Sequence, residues 1–177
     1  RAPVFQDPPA GFNTFFNNTA VTDLTVGGFP ALFTAGAAMT FKAFYSSATI
    51  TDCTFTQNQG SDYGGAVIVG FGEENNHENM AITNNVFVDN YAYWMVGGLN
   101  LNASYMTTHF TNNTFRNNKA DWNVGGMLVC AGYSNEYYEN NTFEGNHGVN
   151  SAGAIWFRTN GPSGANWYFK HNRIFNN

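Results

Sequence analysis

Short apolar runs alternate with Asn- and Gly-rich phrases along most of the chain, and within the runs the alternation has the two-residue period of half-buried strands. "SATITDCTF", "NMAITNNVF", "TTHFTNNTF", "EYYENNTF" and "WYFKHNRIF" are β-branched or aromatic and end on a recurring apolar residue. "GGAVIV", "GGLNLN", "GGMLVC" and "AGAIWF" read the same way after a recurring glycine. Long windows with a 3.6-residue period are interrupted everywhere by Gly or Asn, so the pattern predicts strands and no helices.

The phrases repeat. Phe15, Phe55, Phe87, Phe115 and Phe143, with Ile174 in a sixth copy, are spaced by 40, 32, 28, 28 and 31 residues. An Asn stands two residues before the anchor at Asn13, Asn85, Asn113, Asn141 and Asn172, with Cys53 the exception. Another stands three after it at Asn18, Asn58, Asn90, Asn118, Asn146 and Asn177. Nine to twelve residues past the anchor come Gly27-Gly28, Gly64-Gly65, Gly97-Gly98, Gly125-Gly126 or Ala152-Gly153. A fixed period of this kind marks a solenoid. An antiparallel sandwich would not demand one residue type at one point of every unit, whereas a parallel β-helix stacks equivalent residues about 4.8 Å apart. The expected fold is therefore all-β: a parallel β-helix of about five to six coils. It forms a single domain over 1–177, with an extended segment at 1–12 and repeats from 13 to 177 whose last coil is incomplete.

Stacking explains the asparagines. An amide can donate to the coil on one side and accept from the other, so a buried polar group is satisfied by its own repetition. Asn85, Asn113, Asn141 and Asn172 are the expected inward ladder, and the five Phe anchors the core aromatic column. Asn also tolerates the left-handed backbone of a sharp turn, and glycine permits a corner without room for a Cβ.

Composition narrows the partners. Charged residues make up only 11% of the chain, and seven Lys and Arg against twelve Asp and Glu give a net charge of −5, which argues against a nucleic-acid partner. A run of about 18 apolar residues is missing, so a membrane-spanning helix is not expected. The start at Arg1 and the stop within a repeat are read as a processed chain or a fragment.

The pairing of F-x-x-N with G-G-A-[I/L/V] resembles the repeats of the polymorphic outer membrane proteins. Here it occurs as "FTQN" with "GGAV", "FVDN" with "GGLN", "FRNN" with "GGML" and "FEGN" with "AGAI". It covers the chain from about Asn13 onward, with residues 29–47 fitting poorly. The resemblance implies a right-handed, pectin-lyase-like parallel β-helix, surface display and adhesion rather than catalysis.

Sequons occur at Asn17, Asn102, Asn112 and Asn140. If Asn113 and Asn141 face inward, alternation turns Asn112 and Asn140 outward, and Asn102 is outward if Leu99 and Leu101 are core. The same register puts Val67, Val69, Leu128, Cys130, Ile155 and Phe157 outside, an apolar stripe that would form an interface. Cys53 and Cys130 fall two coils apart on different faces, beyond disulfide reach. Catalytic residues and metal ligands are not expected. Asp89 and Glu144 are two coils apart, with Arg116 between them. Asp62 and Asp121 precede glycines in different coils, and His77, His109, His147 and His171 occupy unrelated repeat positions.

The expected function is that of an extracellular or cell-surface structural or adhesive β-helix that is not an enzyme. It carries N-linked glycans and no other cofactor, and it assembles with copies of itself or neighbouring repeat domains into a filament or surface layer. The alternative is a carbohydrate-binding or carbohydrate-cleaving β-helix with Tyr91, Tyr93, Trp94, Trp122 and Trp167 as sugar platforms. Trp94 and Trp122, each seven residues past an anchor, would share one loop position in adjacent coils.

Overall fold

A computed structural model describes residues 13–16, 19–20, 25–26, 29–30, 38–42, 48–60, 64–70, 79–159 and 164–177. The segment 1–12 and the sequon at Asn17 lie outside these residues, as do Asn18, Gly27-Gly28, Asp62 and His77. The described chain winds as a parallel β-helix with four strands in each complete turn, at residues 48–70, 79–104, 107–132 and 135–159, flanked by partial turns.

Four parallel sheets run along the helix axis. The anchor sheet holds Asn13–Phe16, Cys53–Thr56, Val86–Val88, Thr114–Arg116, Thr142–Glu144 and Arg173–Phe175. A short sheet follows with Thr19–Ala20, Gln59–Gly60, Tyr91–Ala92, Lys119–Ala120 and His147–Gly148. The post-glycine sheet holds Met39–Lys42, Val67–Gly70, Leu99–Ser104, Met127–Gly132 and Ile155–Thr159. The pre-anchor sheet, Ala48–Thr51, Asn79–Thr83, Thr107–Thr111, Asn135–Glu139 and Asn166–Lys170, closes each turn. The antiparallel pair Thr25–Val26 and Phe29–Pro30 stands apart. Repeats of 28 residues register without offset: Phe87 lies opposite Phe115, and Phe115 opposite Phe143.

In-register stacking builds the core. Phe55, Phe87, Phe115 and Phe143 are fully buried, with successive ring centroids 4.9, 4.4 and 4.9 Å apart and planes within 13° of parallel. Phe15 is opposite Phe55 in the backbone register. Ile174 takes the position after Phe143 and is exposed in the last partial turn.

The expected Asn ladder is present, and it has a twin. Asn113 Oδ1 accepts from the backbone N–H of Asn85 at 2.9 Å and from Asn85 Nδ2 at 3.1 Å. Its Nδ2 donates to Ile82 O at 2.8 Å and to Asn141 Oδ1 at 3.1 Å. An amide has two donor hydrogens and two acceptor lone pairs, so all four places are filled. Asn141 repeats the pattern, passing the chain of bonds to Asn172. The column three residues after the anchor does the same through Asn58, Asn90, Asn118, Asn146 and Asn177. The two ladders therefore bracket the Phe column on both sides.

A turn residue precedes each ladder asparagine. Asp52, Asn84, Asn112, Asn140 and His171 have φ of 53–58° before the first ladder column, as do Gln57, Asp89, Asn117 and Asn176 before the second. The left-handed conformation belongs to these outward residues, not to the ladder amides; Asn serves both roles at adjacent positions. The Gly corner works by close approach: a Cβ on Gly97 would lie 2.6 Å from the Gly125 carbonyl oxygen and from backbone atoms of Lys119.

The expected apolar stripe is overturned by one residue of register. Val67 pairs with Leu99, Met127 and Ile155, and Val69 with Leu101, Val129 and Phe157, so these are the inward columns. Val67 and Val69 are fully buried, and Ile155 and Phe157 pack against the core. The glycine doublets are not equivalent: Gly65, Gly97, Gly125 and Gly153 form one column, which sets Gly64 one position early. Leu128 and Cys130 do lie in the outward columns of Asn100 and Asn102, yet Leu128 is buried in a satellite cluster with Val96 and Val124. The six residues expected in that stripe are all buried or half-buried and form no exposed stripe.

Replacing Asn113 by Ala removes all four amide bonds and strands buried donors and acceptors on Asn85, Ile82 and Asn141. At about 1–3 kcal/mol for each orphaned group, the expected loss is about 4 kcal/mol in chemical denaturation. Asn112→Gly, at an exposed left-handed position, is expected to change stability by less than about 1 kcal/mol.

Candidate functional site

The ridge beside the short sheet concentrates the polar and aromatic side chains that the core does not use. Each two-residue strand there places a small residue inward, Gly60, Ala92, Ala120 or Gly148, which leaves no room for more between the corners. The outward partners Tyr91, Lys119 and His147 consequently stack as one column. The loops that follow are also in register: Asn123 N–H donates to Trp94 O at 2.9 Å and Asn150 N–H to Trp122 O at 2.7 Å. Underneath, Val96, Val124 and Leu128, with Met95, Ala152 and Trp156 against them, fasten the loops to the outer face of the post-glycine sheet.

Asp121 organises the polar part. Its Oδ1 is 2.7 Å from Lys119 Nζ, and its Oδ2 accepts from Tyr91 OH at 2.6 Å. Lys119 Nζ also sits 5.6 Å from the Tyr91 ring centroid, in cation–π range. Lys119 and then Tyr91 donate to the carboxylate and hold it below its usual range. Tyr91 is pushed up to about 12, first by burial, then by its hydrogen bond to Asp121 and by that carboxylate's charge. Farther along the ridge Asn123 Nδ2 donates to Met95 Sδ at 3.2 Å, and Ser151 Oγ to Asn123 Oδ1 at 3.3 Å.

The titratable groups of the ridge and its surroundings are already engaged with one another or lie apart. Asp121 is committed to Lys119 and Tyr91, and a group of three or more His, Cys, Asp or Glu able to hold a metal does not occur among the described residues. Arg116 and Glu144 are register neighbours, with Asp89 in the adjoining turn column. His109, His147 and His171 lie on the pre-anchor sheet, the short sheet and a turn. Of the aromatic candidates, Tyr93 and Trp122 are exposed at 66% and 56%, and Trp94 is half-buried in the Trp122 column. The Tyr91 ring lies under Lys119, and Trp167 packs against the core.

The other sequence candidates sit elsewhere. Asn102, Asn112 and Asn140 are exposed, as alternation requires of outward positions. Asn112 Nδ2 donates to Asn84 Oδ1 at 3.2 Å, and Asn84 Nδ2 to Asp52 Oδ1 at 3.1 Å, a third ladder on the outer surface. Cys53 and Cys130 are free thiols. Cys53 is buried in the first ladder column and donates to Thr51 O at 3.2 Å, while Cys130 is half-buried on the outer face, its thiol pushed up by burial. The Lys119–Asp121–Tyr91 group escaped the sequence reading, although Tyr91 stands one 28-residue repeat before Lys119.

Comparison with protein-family models, curated proteins and solved structures returns no match.

Replacing Asp121 by Asn removes the charge and leaves burial as the main cause of the Tyr91 shift. Ultraviolet titration of the phenolate is expected to show the Tyr91 midpoint falling from about 12 toward, without reaching, the ordinary 10. Thermal stability is expected to change little, since exposed pairs of this kind contribute under about 1 kcal/mol.

Proposed function

We propose that the chain is an extracellular structural or adhesive β-helix, N-glycosylated, that serves as a subunit of a filament or surface assembly through contacts with its own copies or neighbouring repeat domains. The observation that carries this reading is the fate of the repeated polar residue: the interior amides are consumed in two axial ladders, so the repeat is spent on making a stiff rod. Exposed Asn102, Asn112 and Asn140 within sequons support sugar on the outside of that rod. With so few charges, glycans also supply a means of keeping the surface hydrated. The likeness of the F-x-x-N and G-G-A phrases to polymorphic outer membrane protein repeats points the same way.

A carbohydrate-binding reading draws on the ridge, where Trp122 and Tyr93 stand beside Asp121, Lys119 and Asn123. It draws nothing from the other outer rings. Tyr105 stacks on Tyr133 at 4.7 Å, and His109, Tyr137 and Tyr168 stack in sequence at 5.0 and 4.8 Å. Rings in such columns cover one another's faces and offer mainly edges and polar tips, whereas sugars pack on open ring faces. We therefore rank assembly above sugar recognition.

Intact-mass measurement of native material before and after glycosidase, with negative-stain imaging, tests the main reading. Sugar mass on Asn102 or Asn112 together with ordered lateral or end-on associations is the expected result. Bare protein that stays a monodisperse monomer at high concentration overturns it, and glycan-array binding abolished by Trp122→Ala turns the choice to the second reading.

A further inference from the structure

Among the described residues one acid lies in the interior of the rod. Glu136 is completely buried at an inward position of Asn135–Glu139, directly between Thr108 of the preceding coil and Trp167 of the following one. Thr108 Oγ1, Ser134 Oγ, Glu136 Oε1 and Trp167 Nε1 are all buried without a hydrogen-bond partner among the described residues. The remaining contact of the carboxyl is Tyr138 OH, which donates to Oε2 at a long 3.3 Å. Elsewhere in this core the polar columns are asparagine, apart from Cys53 in the first, and their amides are answered by the next coil; this column runs Met80, Thr108, Glu136, Trp167 and does not.

Among the described residues nothing cationic compensates the acid. On its own strand Tyr138 is the titratable group that faces it. The strand Thr107–Thr111 presents Thr108 and Phe110, and Asn166–Lys170 presents Trp167 and Phe169. Alternation sends His109, Glu139, Tyr168 and Lys170 to the outer face. Across the core Phe157 meets the Tyr138 and Trp167 rings at 5.3 and 5.2 Å.

We propose that Glu136 is a proton-binding site inside the solenoid, and that its ionisation loosens the packing of Asn166–Lys170 on Asn135–Glu139. An uncompensated carboxylate in a dry core is unfavourable, while a neutral carboxyl can donate to the Ser134 or Thr108 hydroxyl. Burial raises the Glu136 pKa to about 7, against weaker lowering by the Ser134, Thr108 and Tyr138 hydroxyls. The sign follows from a folded value above the unfolded one: the stabilisation is complete below the ordinary carboxylate range and is lost as pH rises through about 7.

The test is chemical denaturation of the whole chain at pH 5 and pH 8, with Glu136→Gln as an uncharged isostere. Wild type is expected to have the higher midpoint at pH 5. The variant is expected to lose most of that difference and to exceed wild type at pH 8. An equal pH difference in both proteins overturns the proposal. If the variant does not fold, the carboxyl of the wild-type protein is titrated directly by carbon NMR of labelled glutamate. A glutamate with a midpoint near 7 supports the site, and titration of every glutamate in the ordinary range refutes it.

Discussion

A buried primary amide is tolerable only when two donors and two acceptors are all answered, and in this molecule the answer comes from the same amide one coil away. That requirement fixes the rest. Asn113 can be satisfied only if Asn85 and Asn141 lie directly below and above it, so strands must be parallel, registers unshifted and repeats equal in path length. With those conditions met, the Phe rings stack without further specification. Because each amide of a column orients the next, the bonds polarise one another, and a column is worth more than its separate pairs.

The ladders also decide which surfaces are left for other work. Inward amides answer one another, and the outward turn residues adopt the left-handed conformation that bends the chain into each side of the coil. Where the repeat keeps small residues, at Ala92, Ala120 and Gly148, the tube is pinched, and the variable side chains are pushed onto a ridge. There Asp121 gathers Lys119 and Tyr91, and Trp122 is exposed.

Glu136 is the counter-example that shows how strict the interior rule is. The asparagine columns place like on like and leave their amides satisfied; the Thr108, Glu136 and Trp167 column places unlike on unlike and leaves three polar atoms orphaned, with Ser134 Oγ a fourth. Buried groups of this kind are unfavourable for folding. Their presence at one point of an otherwise consistent repeat marks a local departure from structural optimisation.

The sequence by itself determined the all-β solenoid, the Phe column and the first Asn ladder, because each is a one-dimensional period and stacking converts period directly into contact. It also placed Asn102, Asn112 and Asn140 outside, since alternation needs only one fixed neighbour. Tertiary structure decided what depends on registering unequal repeats. The interval from Phe55 to Phe87 exceeds the core repeat, and the glycine doublets in the two coils do not coincide, so Val67 and Val69 moved from the expected outer stripe into the core. Contacts between different residue types in adjacent coils, Tyr91 with Asp121 and Glu136 beside Trp167, were equally invisible, because periodicity reports like over like and is silent about unlike neighbours.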